Sequence, residues 1–262
     1  MRMTRRRTSA GVTAVLTGGT FLPAATASAA EPVGAGTGGA EAGSAGESGG
    51  AAPAPGPGGE PGNIEDVPDV MAEWYLDVVD FADSTPSAVQ GFMELFTEGV
   101  VLLFGVLMLL AWWRARGRDS RAMAGALLAP VAVVAAYLTS EVSKLYLTAE
   151  RPCRTLPDVV PIAECPPPGD WSFPSNHSAI AGASVLALFL AWRRLGALAL
   201  PLGLLGAYSR VFVGAHYPHD AIVGFLLGAL VAPLVVLVLR GPTTRLVARL
   251  RAGSPTWLLT RS

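Results

Sequence analysis

The chain has 262 residues, is 51% hydrophobic and only 15% charged, and carries a formal net charge of −1. Soluble domains are about a quarter charged, so this composition excludes a large water-exposed globular domain. No Lys or Arg occurs between Arg7 and Arg114, which leaves no basic stripe for a nucleic acid.

Residues 1–30 read as a secretory signal. Arg2, Arg5, Arg6 and Arg7 form a basic start, an apolar stretch follows, and Ala27-Ser28-Ala29 fits a small-residue cleavage site. An uncleaved first membrane helix is the alternative, weakened by Gly18, Gly19 and Pro23. Residues 31–63 hold almost no large apolar side chain. Such a segment cannot bury enough surface to offset its ordering entropy, and it reads as a disordered linker.

Residues 64–93 read as an amphipathic helical extension lying on the membrane or on the bundle. Asp69, Glu73, Asp77 and Asp80 mark its polar face; Val70, Trp74, Val78 and Phe81 mark its apolar face. Five apolar segments follow, at about 95–113, 122–147, 174–192, 195–213 and 221–239. Each is near the roughly 20 residues that a membrane helix needs. The fold class is therefore all-α: an integral membrane helical bundle of about five spans plus the N-terminal signal or extra span.

Basic clusters orient the spans. "RARGRDSR" (114–121), Arg193-Arg194, and Arg240 with Arg245, Arg249 and Arg251 fall at alternate segment ends. The positive-inside rule assigns all three to the cytoplasm, with residues 241–262 as a basic cytoplasmic tail. The N-terminal extension, the loop 148–173 and the junction 214–220 are then outside. The signal reading gives the same orientation. Cys153 and Cys165, the only cysteines, lie in that outer loop. An oxidising compartment permits a disulfide between them, with two free thiols the alternative.

Three polar clusters interrupt the apolar background at the outer helix ends. They are "KLYLTAERP" (144–152), "PSNHS" (174–178) and "YSRVFVGAHYPHD" (208–220). All three histidines, His177, His216 and His219, and the one lysine, Lys144, lie in them. Lys144, Arg151 and Arg210 suit phosphate oxygens. "PSNHS" opens a helix, whose free N–H groups favour an anion. A histidine both gives and takes a proton near neutral pH, and Asp220 is spaced to orient His216. Singly, each residue has a structural reading as a snorkelling cation or a helix cap. Jointly, that does not explain why every histidine and the one lysine gather at one membrane face.

"K-x6-RP" (Lys144, Arg151, Pro152), "PSxH" (Pro174, Ser175, His177) and "SR-x5-H-x3-D" (Ser209, Arg210, His216, Asp220) resemble the three-part signature of the type 2 phosphatidic acid phosphatase superfamily. The resemblance covers about residues 95–240. It implies a membrane phosphatase domain over 94–240, acting on a lipid phosphate or pyrophosphate; the orientation of the basic clusters puts its site at the outer face of the cell membrane. It implies that His216 is the nucleophile and forms a phosphohistidine. Asp220 would orient His216, and His177 would be the general acid. Lys144, Arg151, Ser175, Asn176 and Arg210 would bind the phosphoryl group. No cofactor or metal is implied, and no protein partner; the partners are the lipid substrate and the bilayer. The family usually has Gly where this chain has Asn176, which retains the backbone N–H. His219 is outside the signature and reads as an interfacial side chain. An arginine-rich bacterial-type composition makes undecaprenyl pyrophosphate the first substrate, with phosphatidic acid and phosphatidylglycerol phosphate as alternatives. Vanadium haloperoxidases resemble the same motifs but are soluble, which the apolar segments oppose; a non-enzymatic lipid-binding protein is the remaining reading.

Overall fold

A computed structural model describes residues 67–156 and 158–253. The signal segment 1–30, the linker 31–63 and residues 254–262 of the tail lie outside the described residues. The described chain forms seven helices and no strand: α1 Asp69–Ser84, α2 Ser87–Ala115, α3 Ser120–Lys144, α4 Pro152–Thr155, α5 Asn176–Ala191, α6 Arg193–Phe212 and α7 Pro218–Gly253.

Local chemistry sets these boundaries. Pro86 has no N–H to continue α1, so α1 stops at Ser84 and α2 starts at Ser87, splitting the expected extension 64–93 in two. Asp119 caps α3 by accepting from the Ala122 N–H at 2.8 Å. Trp192, in an extended conformation, is the whole connection between α5 and α6.

The protein is an all-helical membrane bundle. α2, α3, α6 and α7 are long and apolar enough to cross a membrane. α5 has 16 residues, about 24 Å at 1.5 Å per residue, and is shorter than the expected segment 174–192. It sits at the centre, against α3, α6 and α7. Its contact with α7 is backbone to backbone. A Cβ on Gly228 would lie 1.9 Å from the Ala179 carbonyl oxygen, and one on Gly182 would lie 2.0 Å from that of Phe225. Gly224 and Gly228 are four apart, the small-residue spacing that lets membrane helices approach closely. Leu226, Leu230, Leu237 and Val238 of α7 face outward, as a lipid-facing surface requires.

Two elements differ from expectation. α1 packs on α6 and α7 through Ala72, Tyr75, Val79 and Ala82, while Val70, Trp74 and Phe81 are exposed. The helix has two apolar faces, and the one against the protein carries the fully buried Tyr75 among alanine and valine side chains. The basic tail is helical through Gly253, because α7 continues past Arg240. Val247 is buried in the core shared by α2, α3, α5 and α6, and Arg251 donates to the Arg118 carbonyl at 2.8 Å.

Candidate active site

α5 and α7 begin side by side. Ser175 caps α5 through its Oγ, which accepts from the Ser178 N–H at 3.5 Å. The Ser175 N–H donates to the Asp220 carbonyl at 3.1 Å. Gly224 lets the two helices meet there, since a Cβ would lie 2.4 Å from the Ser175 carbonyl oxygen. Pro218 opens α7, where a missing N–H costs nothing. Asp220, at the third position, returns its Oδ2 to the Tyr217 N–H at 3.0 Å.

The turn between α6 and α7 carries His216. Gly214 has φ +77°, and a Cβ there would strike Pro161 at 2.6 Å. The backbone N–H groups of Ala215 and His216 both return to the Arg210 carbonyl, at 3.0 and 3.2 Å. From α1, the Tyr75 hydroxyl donates to the Gly214 carbonyl at 3.1 Å, and its ring leans on Tyr217 with centroids 5.2 Å apart.

The hydrogen bonds assign the His216 tautomer. Nδ1 lies 3.4 Å from Asp220 Oδ2 and 3.3 Å from Ser172 Oγ. The Ser172 hydroxyl donates its one hydrogen to Asp220 Oδ2, so it faces Nδ1 as an acceptor. Both neighbours of Nδ1 are therefore acceptors, and Nδ1 carries the proton. Nε2 keeps the lone pair and lies 3.3 Å from Arg151 Nη1, a donor. Burial pushes the imidazole down to about 4, with Arg151 and Arg210 adding to the shift and Asp220 opposing it. His216 is thus a neutral, oriented base at neutral pH.

Three carboxylates hold the site's cations. Asp170 is 3.0 Å from Arg151 and 3.9 Å from Lys144. Burial alone would raise Asp170, but the Arg151 hydrogen bond and charge, with Lys144, outweigh it and hold the carboxyl below its usual range. Glu141 is 3.4 Å from Lys144 and accepts from the Asn176 amide. Glu98 bridges His177 Nε2 at 3.1 Å and Arg210 Nη1 at 3.0 Å. Lys144, Arg151 and Arg210 are nevertheless buried. Buried cations need paired anions, and these carboxylates supply them.

His216, Asp220 and Arg151 are in direct contact, and Lys144 joins them through Asp170. His177 and Arg210 meet on Glu98. The Asn176 side chain does not point into an open anion pocket. Ser140 donates to its Oδ1 at 2.7 Å and Glu141 accepts from its amide, so both ends of the side chain are engaged. His219 is packed between Phe173 and Tyr217, with Nε2 3.2 Å from Asp220 Oδ1, rather than lying free at an interface. Cys153 and Cys165 are joined in a disulfide. Sequence reasoning missed Ser172, Asp170, Glu141 and Glu98. Their roles rest on contacts distant in sequence: 79 residues for Glu98 to His177, 48 for Ser172 to Asp220, 35 for Glu141 to Asn176 and 19 for Asp170 to Arg151.

Residues 125–243 match the PAP2 superfamily, a stretch that contains Lys144, Arg151, Ser175, His177, Arg210, His216 and Asp220. The chain is 32% identical over 124 residues to an undecaprenyl-diphosphatase of Sulfolobus acidocaldarius, covering 47% of this chain and 59% of that protein. The match thus spans less than two thirds of that relative's length. It is 31% identical over 152 residues to the undecaprenyl-diphosphatase BcrC of Bacillus subtilis, covering 57% of this chain and 72% of the relative. Among solved structures, Aquifex aeolicus LpxE aligns with a TM-score of 0.52 at 21% identity, over 66% of this chain and 98% of that one. That likeness is one of fold.

Proposed function

This chain belongs to the PAP2 superfamily, and from that membership we propose that it is a membrane phosphatase that hydrolyses a lipid phosphate or pyrophosphate. Undecaprenyl pyrophosphate is the substrate of first choice, supported by the names of the two relatives above. Phosphatidic acid and phosphatidylglycerol phosphate are the alternatives. The arginine-rich helix ends support an extracytoplasmic site.

One observation carries the reading: the buried His216, with Nδ1 held by Asp220 and Ser172 and Nε2 turned to Arg151. The Nε2 lone pair attacks phosphorus. As the P–N bond forms, the bond from phosphorus to the leaving oxygen breaks, and His177 supplies the proton to that oxygen. Asp220 stabilises the positive charge that develops on His216. In the second half, water attacks the phosphohistidine, His177 takes the water proton, and the P–N electrons return to Nε2. Lys144, Arg151 and Arg210, with the N–H groups at the start of α5, neutralise the phosphoryl oxygens in both steps.

The test is phosphate release by purified protein across undecaprenyl pyrophosphate, phosphatidic acid and phosphatidylglycerol phosphate, with and without chelator. Turnover is expected on at least one lipid, with an acid-labile phosphoryl-enzyme in quenched samples. His216→Ala should abolish both signals. A fully active His216→Ala would sink the mechanism.

A further inference from the structure

Glu98 is outside the three motifs and outside residues 125–243. It projects from α2, with 65% of its side chain exposed, yet its two oxygens reach two groups of the proposed phosphate site. Oε2 is 3.1 Å from His177 Nε2, and Oε1 accepts from Arg210 Nη1 at 3.0 Å. These are the distances that a phosphoryl or leaving-group oxygen makes with a general acid and an arginine.

The rest of the seat is built. Arg210 is only 8% exposed, and Thr97 Oγ1 accepts from the same Nη1 at 3.1 Å. The Ser209 hydroxyl donates to the Gly206 carbonyl at 2.7 Å and lies 2.9 Å from Thr97 Oγ1, a contact that fixes the threonine. Arg210 Nε is buried and finds no acceptor among the described residues. A buried guanidinium with an unused donor has capacity for one more oxygen than Glu98 and Thr97 supply. The most exposed member of this set is the carboxylate, so it is the member that can leave without opening the core.

We propose that Glu98 is a displaceable carboxylate: at rest it occupies the seat that a phosphoryl oxygen takes between His177 and Arg210, and it sets how tightly the site holds phosphate. The identity of the occupant rests on the phosphatase reading above. An arriving phosphate brings more charge and more acceptor oxygens than one carboxylate and displaces it onto the solvent side of α2. After hydrolysis the return of Glu98 competes with inorganic phosphate for Arg210 and speeds its release. Glu98 is thus a determinant of phosphate affinity that acts by competition rather than by contact with the reacting atoms.

The experiment measures inorganic phosphate in two ways, by direct titration calorimetry and as a competitive inhibitor of lipid turnover. Wild type is compared with Glu98→Gln and with Glu94→Gln, an exposed glutamate one turn earlier on α2. Glu98→Gln is expected to bind phosphate roughly tenfold more tightly, as loss of a competing charged hydrogen bond implies, with KM for the lipid also lowered. Glu94→Gln should match wild type. Unchanged or weaker phosphate binding in a Glu98→Gln protein of normal thermal stability overturns the proposal. So does an equal gain in both variants, which would mean that surface charge alone is responsible. A wild type that binds phosphate but turns over no lipid refutes the phosphatase reading, while the calorimetric comparison of the two variants still decides the role of Glu98.

Discussion

Ser172 stands against both members of the His216–Asp220 pair, donating to the carboxylate and facing the imidazole Nδ1 at 3.3 Å. It is completely buried, so no water replaces it if the hydroxyl is removed. Ser172→Ala leaves Asp220 short of one donor and frees the imidazole to tilt. A lost buried hydrogen bond to a charged group costs about 1.5–3 kcal/mol, so kcat should fall about 10- to 100-fold. Steady-state kinetics on a protein with unchanged helicity checks this, and Ser172→Thr should recover part of the loss.

The same neighbourhood fixes a pH response. His216 is held near 4, below the usual 6.5, so the fold favours the neutral ring. In the proposed mechanism the neutral ring is the nucleophile, so the acid limb of kcat/KM should lie near pH 4 rather than near 6.5. For stability, the unfolded chain takes up the proton first as pH falls. The contribution of His216 is therefore complete above 6.5 and is lost as pH drops towards 4. Thermal unfolding between pH 7 and 4 should be less pH-dependent in His216→Gln than in wild type.

How the site was legible follows from where its residues lie. Lys144, Arg151, His177, Arg210, His216 and Asp220 stand out because each is an ionisable residue at the end of an apolar run. Glu98 and Ser172 do not. Their meaning comes from contacts across 79 residues to His177 and 48 to Asp220, which no local pattern encodes. α1 was legible as a helix but not in its orientation. Its apolar residues fall on two faces, and periodicity carries no information on the hydroxyl of Tyr75 reaching the Gly214 carbonyl.

That contact predicts a role for the extension. Tyr75→Phe leaves the Gly214 carbonyl without its donor, at about 1–3 kcal/mol. The melting temperature and kcat should both fall, because the supported turn carries His216. Trp74→Ala, one residue away and half exposed, should leave the melting temperature nearly unchanged. Equal effects from the two would show that α1 acts only as bulk.

The disulfide offers a separate handle. Cys153 and Cys165 are 12 residues apart, in the segment that runs from Arg151 to Asp170. A loop of that size is worth about 3 kcal/mol in the chain-entropy account. Cys153→Ser with Cys165→Ser should lower the melting temperature and raise KM, through a loosened Arg151–Asp170 pair. Reductant should act on wild type in the same direction and leave the double variant unaffected.

Trp192 is the whole link between α5 and α6, and that makes the pair a ruler. His177 is 15 residues before it and Arg210 is 18 after it. At 1.5 Å per residue they stand about 22 Å and about 27 Å from the bend, nearly level, with the small offset bridged by one glutamate side chain. There is no slack loop to absorb an error in either arm. One inserted residue in α5 would turn His177 by about 100° and raise it by about 1.5 Å, so the span from 177 to 210 should tolerate changes of letter far better than changes of length.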